Sequence, residues 1–296
     1  MGSNRQVLDF RHATRATDDV VDELGRVLLV NVCSVVPGGV VLFLPSYGYE
    51  AEVVRRWKAK AAPGEGGSAA PPSLWEQLQG KKAVRREPRD ARDLDAVLAA
   101  YASDAKRRDP ATAPGGTPPL PDPPLRRPAP VCVVGGKMSE GINFADDMAR
   151  GVVVAGLPFP DKSDPELYEK MAHLDRLADA NKSAARGERG LLGNDDAAPS
   201  SLGRLPQPPP ITGQAYYFNL CMRAVNQSVG RAIRHRADYA AIVLCDARYA
   251  NDAKVWQALP LWIREGGGLG GGKGEKVQFG KVVAGMRQFF KEREGR

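Results

Sequence analysis

The chain has 296 residues, with 42 Lys plus Arg against 35 Asp plus Glu and a formal charge of +7, giving a pI near 9.3. That balance favours polyanionic partners such as nucleic acid or an acidic membrane surface, although a composition rich in Arg, Ala, Gly and Pro raises the charge for unrelated reasons too. No apolar stretch approaches the ~18 residues of a membrane span, and MGSNRQ at the start carries neither a signal-peptide core nor a myristoylation site, so a cytosolic or nuclear protein without a membrane partner is expected.

Residues 18–36 place Val20, Val21, Leu24, Val27, Leu28 and Val32 at helical spacing, and Pro37-Gly38-Gly39 ends that helix. The run VVLFL at 40–44 is short and continuously apolar, which is how a buried parallel strand reads. Pro45-Ser46-Tyr47 closes the strand, and a helix continues to Trp57. A second helix is predicted over 90–107, with Leu94, Val97, Leu98 and Tyr101 on one face. Residues 110–130 are Pro/Gly-rich and read as a low-complexity insert.

VCVV at 131–134 is the next strand, followed by a glycine-containing loop at 135–141 and another strand, GVVVAG, at 151–156. A helix is predicted over 164–180, with Pro165 in its first turn. Residues 184–210 form a second low-complexity insert. The strongest helix signal covers 215–236, and YAAIVLC at 239–245 is a strand. A glycine tract at 266–274 leads to an amphipathic helix at 279–294. Strands alternating with helices imply an α/β fold with a parallel sheet, the folded region extending over 18–294.

Cys33, Cys132, Cys221 and Cys245 each sit in an apolar run, none at metal-ligand spacing from another. Buried free thiols are the expectation, and with His12, His173 and His235 scattered no metal site is predicted.

A helical rotation of about 100° per residue puts Arg223, Gln227, Arg231 and Arg234 in one sector, opposite Met222, Val225, Val229 and Ile233. Gly230 offers close backbone approach beside that row. Planar guanidinium forks a turn apart suit a γ-phosphate, and Gln227 can orient water or a phosphate oxygen. Spacing alone favours a solvated basic face instead.

The loop GGKMSEGINF at 135–144 leaves the end of a strand, where open α/β sheets place ligands, and its amides and Ser139 can meet phosphate. It is not a Walker A loop, because Met138 follows Lys137 and Cys132 stands where the earlier glycine belongs. No Asp-Glu pair closes a buried strand to hold magnesium. Ser46 and Tyr47 either touch a nucleic-acid backbone and base or only close the strand.

VPGGVVLFLPSYGYE (36–50), VVGGKMSEGINFADD (133–147), GLPFPDKSDPELYEKMAHLD (156–175) and NLCMRAVNQSVGRAIRHRADYAAIVLCDARYA (219–250) together resemble the XPD-like superfamily 2 iron–sulfur DNA helicases, and most closely their Chl-type, sister-chromatid cohesion branch. The resemblance covers the second, RecA-like motor domain and implies an ATP-dependent 5′–3′ DNA helicase in the nucleus.

By that resemblance Gln227, Arg231 and Arg234 act on the γ-phosphate, and Gly141, Asn143 and Gly230 bind ATP. Ser46, Tyr47, Ser139 and Glu140 contact DNA. Asn143 stands where many relatives carry Asp. The implied cofactor is ATP with Mg2+, held mostly by a first motor domain, which also carries the family's phosphate-binding loop and iron–sulfur cluster. Neither has a counterpart in these residues. Single-stranded or forked DNA, that first motor domain, and cohesion or replication factors are the implied partners. Two other readings stand beside this one: a non-catalytic nucleic-acid-binding or regulatory fragment, and a scaffold using the Pro-rich inserts.

Overall fold

The computed structural model describes residues 7–59, 70–106, 126–141, 144, 146–191, 210–235, 238–265 and 279–294. The glycine tract at 266–274 and the central parts of the two predicted inserts, 110–125 and 192–209, lie outside the described residues. The chain forms two compact units, one of Met1–Pro158 with Ala224–Arg296 and one of Phe159–Arg223.

Among the described residues the first unit is built on a five-stranded sheet of β1 (Val40–Leu44), β2 (Ala83–Arg86), β3 (Pro128–Val133), β4 (Gly151–Ala155) and β5 (Ala241–Cys245). The order is β2-β3-β1-β4-β5, with every pairing parallel. The expected α/β parallel sheet is therefore present. β1 lies at its centre and is buried along its whole length, which is why its sequence shows no polar alternation.

Val40, Leu42 and Leu44 pack with α1 (Asp18–Arg26), the Val27–Cys33 segment, α2 (Tyr47–Lys58), α3 (Leu74–Lys81) and the terminal helix Phe279–Glu294. On the opposite face Phe43 meets Phe144 edge-on at 6.2 Å, and Tyr101 of α4 (Leu94–Lys106) meets Phe144 at 5.7 Å.

Several boundaries differ from expectation. The helix predicted over 18–36 is present, but its second part, Val27–Cys33, is π-helical. α3 and β2 were not anticipated. α3 opens with a capping box between Ser73 and Glu76. β2, AVRR, is a half-exposed edge whose arginines are held by Asp104 and Glu50.

β3 starts at Pro128, so the end of the predicted 110–130 insert is strand. Proline cannot donate to a ladder, and Pro128 and Pro130 pair only with β2, because β1 joins β3 from Val131 onward. α6 (Pro165–Leu191) likewise runs into the predicted 184–210 insert.

The turn before β1 is closed from two sides. Gly39 donates its amide to the Asp147 carbonyl at 2.8 Å, and a Cβ at Gly39 would lie 2.0 Å from the Met148 carbonyl oxygen. Lys82, buried, donates its ammonium to the carbonyls of Val36 and Gly38 at 2.9 and 2.8 Å. Burial lowers the Lys82 pKa to about 8.

In the second unit Asp164 caps α6 by accepting from the amides of Glu166 and Leu167, with Pro165 in the first turn as predicted. Phe159 stacks on Tyr217 at 5.0 Å, and Asp175 accepts from the Gly213 amide at 2.9 Å. Gly213 begins α7 (Gly213–Gly230), whose last residues belong to the first unit. Among the described residues no helix is long and apolar enough to cross a membrane.

Candidate functional site

α7 was expected to reach residue 236 but stops at Gly230. Met222, Val225 and Val229 are buried as expected, while Gln227 and Gly230 are exposed. Past Gly230 the chain turns tightly, with Arg231 and Ala232 donating three residues back to Ser228 and Val229 at 3.4 and 3.3 Å. In a continuing helix the Arg234 amide would bond the Gly230 carbonyl. Here the Asp238 carboxylate takes that amide at 3.2 Å. Arg231 and Arg234 therefore do not share a helical sector with Arg223. Gly230 does not serve close packing either, since a Cβ there would meet nothing within 4 Å.

The turn nevertheless brings the predicted residues together. Gln227, Gly230, Arg231 and Arg234 line one wall of an open cleft of about 530 Å3, and Gly135, Ser139 and Glu140 line the other. The second wall belongs to the loop after β3 and to α5 (Lys137–Gly141). Arg231 spans the two walls, donating from its guanidinium to the Glu140 carbonyl at 3.0 Å. Gly135 has φ +71°, a conformation that favours glycine. Ser139 is buried and donates its hydroxyl to the Gly136 carbonyl at 2.8 Å. Gly141 ends α5, and Asn143 lies outside the described residues.

Ser46 and Tyr47 do not line this cleft. Ser46 caps α2, its hydroxyl oxygen accepting from the Tyr49 amide at 3.2 Å, so closing the strand is one role it does perform. Tyr47 donates its hydroxyl to Glu87 at 2.8 Å. Burial, reinforced by the hydrogen bond to Glu87 and its charge, pushes the Tyr47 pKa up to about 12, which keeps the phenol a donor.

Glu87 escaped the sequence reading. It follows a strand with only one large apolar residue, Val84. Its carboxylate also accepts from the amides of Val133 at 2.5 Å and Met138 at 3.2 Å. Arg150 and Asp238 were missed as well. Arg150 donates to the enclosed Asp238 carboxylate at 2.7 Å and lies over the Tyr239 ring at 4.0 Å. Both sit in plain polar context beside strands, with only the Arg-His-Arg-Ala-Asp run before β5 as a signal.

The donor sets fit metals poorly. The cleft presents guanidinium and amide groups, with Glu140 the lone carboxylate among its lining residues. Asp146, His235 and Asp238 place ligand atoms within 4.8 Å of one another. However, Asp238 is already engaged by Arg150 and by the amides of Arg234 and Tyr239. All four cysteines are buried and free. Burial holds the thiols of Cys33 and Cys245 up at about 12 and that of Cys132 well above its ordinary value, the opposite of what thiolate ligation to iron requires.

Residues 29–266 match the family described as a helicase C-terminal domain. The chain belongs to that family. It is 39% identical over 292 residues to the ATP-dependent DNA helicase DDX11 of Danio rerio, an alignment covering 99% of this chain and 26% of that protein. It is 34% identical over 287 residues to the ATP-dependent DNA helicase chl1 of Neurospora crassa, covering 90% of this chain and 26% of the other. These relatives bear out the resemblance to the Chl-type branch, and the chain spans about a quarter of the length of each. A solved structure named XPD_APO aligns with a TM-score of 0.46 and 16% identity, covering 85% of this chain and 36% of that one.

Proposed function

We propose that this helicase C-terminal region is the second motor domain of an ATP-dependent DNA helicase. The observation that carries the reading is the convergence of Gln227, Gly230, Arg231 and Arg234 on one cleft with Ser139 and Glu140. Two guanidinium forks and an amide on an open wall suit a triphosphate presented by a first motor domain. Arg231 and Arg234 would stabilise charge developing as the γ-phosphate leaves, and Gln227 would orient the attacking water. Gly141, Asn143 and Gly230 would lie along the nucleotide. The cleft does not fit a divalent cation, so Mg2+ would belong with the phosphates and the first motor domain.

Ser46, Tyr47, Ser139 and Glu140 are the proposed contacts to single-stranded or forked DNA. Ser139 must turn its hydroxyl away from the Gly136 carbonyl before it can donate to a phosphate. Translocation 5′ to 3′, a nuclear location, and work with cohesion, repair or replication factors belong to the same proposal and rest on the resemblance of the motif runs to the Chl-type branch.

The test is Arg234→Ala in this chain completed with a first motor domain. ATP turnover should fall about 1,000-fold or more, while affinity for a single-stranded oligonucleotide changes by no more than a few-fold. Turnover at the wild-type rate would reject the role given to Arg234.

A further inference from the structure

Glu87 gathers three donors from three separate segments. Tyr47, in the turn after β1, gives its hydroxyl at 2.8 Å. Val133, the last residue of β3, gives its amide at 2.5 Å, and Met138, in the first turn of α5, gives its amide at 3.2 Å. The Glu87 backbone is itself fixed, its amide donating to the Val131 carbonyl at 2.9 Å. Its two oxygens share the load, Oε1 accepting from Tyr47 and Met138 and Oε2 from Val133. The surroundings are shaped to admit it, because a Cβ at Gly136 would lie 2.0 Å from the nearer Glu87 oxygen.

The same short helix carries the cleft wall. α5 contains Ser139 and Glu140, and the Glu140 carbonyl receives Arg231. A continuous series of hydrogen bonds and one helical turn thus joins Arg231 to Tyr47.

We propose that Glu87 is a positioning residue that makes the Tyr47 turn and α5 move as one body, so that phosphate held in the arginine cleft alters how Tyr47 meets DNA. This rests on the functional reading above. It adds to it a specific link between the two ligands, carried by a residue that touches neither. Such a link is a coupling free energy and must be measured as one.

The experiment uses this chain, inorganic triphosphate as the probe for the cleft, and a fluorescein-labelled oligo-dT read by anisotropy. The quantity is the ratio of oligo-dT affinities with and without triphosphate. In the wild type it should differ from one by about fivefold or more. Tyr47→Phe deletes one hydrogen bond and leaves those from Val133 and Met138 in place, so it tests the link even if Glu87→Gln unfolds. In Tyr47→Phe, and in Glu87→Gln if it melts as a folded protein, the ratio should come to within about twofold of one. The double variant should show no further loss.

A ratio of one in the wild type, or a wild-type ratio preserved in Tyr47→Phe, overturns the inference while leaving the two binding sites standing. A wild type that binds neither probe fails the functional reading itself, and the link fails with it.

Discussion

Asp238→Asn should loosen the segment that presents Arg234. The Asp238 side chain is fully enclosed and takes Arg150 at 2.7 Å, the Tyr239 amide at 3.0 Å and the Arg234 amide at 3.2 Å. Asparagine fills the same space with one acceptor oxygen, so its NH2 must face either the Arg150 guanidinium or the Arg234 N–H. Breaking a buried pair by removing one partner's charge costs roughly 3–5 kcal/mol. Arg150 keeps Asp147 at 3.2 Å, the Tyr239 carbonyl at 3.0 Å and the Tyr239 ring. The lower end therefore applies, about 3 kcal/mol, equivalent to about 100-fold more frequent local opening. Because the chain forms two units, a single global melting curve would blur the effect. Hydrogen exchange at the Arg234 and Tyr239 amides reads it directly. Protection at both amides within about threefold of wild type would mean that Asp238 does not hold this segment.

Two further outcomes test the packing around β1. For Lys82 the folded pKa, about 8, lies below the ordinary 10.5, so above pH 8 the unfolded chain binds more protons and this group makes stability rise with pH. Relative to Lys82→Met, the wild type should gain about 1 kcal/mol between pH 8 and 9 in denaturant titrations, and a flat or falling difference would refute the burial argument. Gly39→Ala drives a Cβ into the Met148 carbonyl and should cost about 3 kcal/mol or more. Gly280→Ala in the first turn of the terminal helix, where a Cβ meets nothing within 4 Å, should stabilise by no more than about 0.5 kcal/mol. Equal hydrogen-exchange protection of the β1 amides in the two glycine variants would contradict the close approach.

The central strands β1 and β4 were legible because burial on both faces leaves a continuous apolar run, VVLFL and GVVVA. β5 lies at the sheet's edge and is only half-buried, yet its AIVLC is apolar throughout and so was legible too. β2 was not, since an edge strand of four residues with two arginines shows no such run and is defined only by its pairing to β3. Local pattern also overstated α7. The arginine spacing continues in helical register through residue 234, but the helix stops at Gly230 and the Arg234 amide donates instead to the Asp238 side chain four residues on. The cleft residues were still found, because Gln227, Gly230, Arg231 and Arg234 are adjacent in sequence, and a turn keeps neighbours together as well as a helix does. Glu87 and Asp238 could not be found that way. Their decisive partners lie far along the chain, 46 residues away for Val133 and 88 for Arg150, and the charged run before β5 is only a faint local sign of Asp238.

β2 ends the sheet on one side with Arg85 and Arg86 pinned by Asp104 and Glu50. An open border of backbone donors and acceptors is a template on which another chain can add a strand. Four residues are too few to offer much of one, and the charged side chains raise the cost of an incoming neighbour. Neutralising both arginines should therefore show first as concentration-dependent aggregation, before any loss of the fold itself.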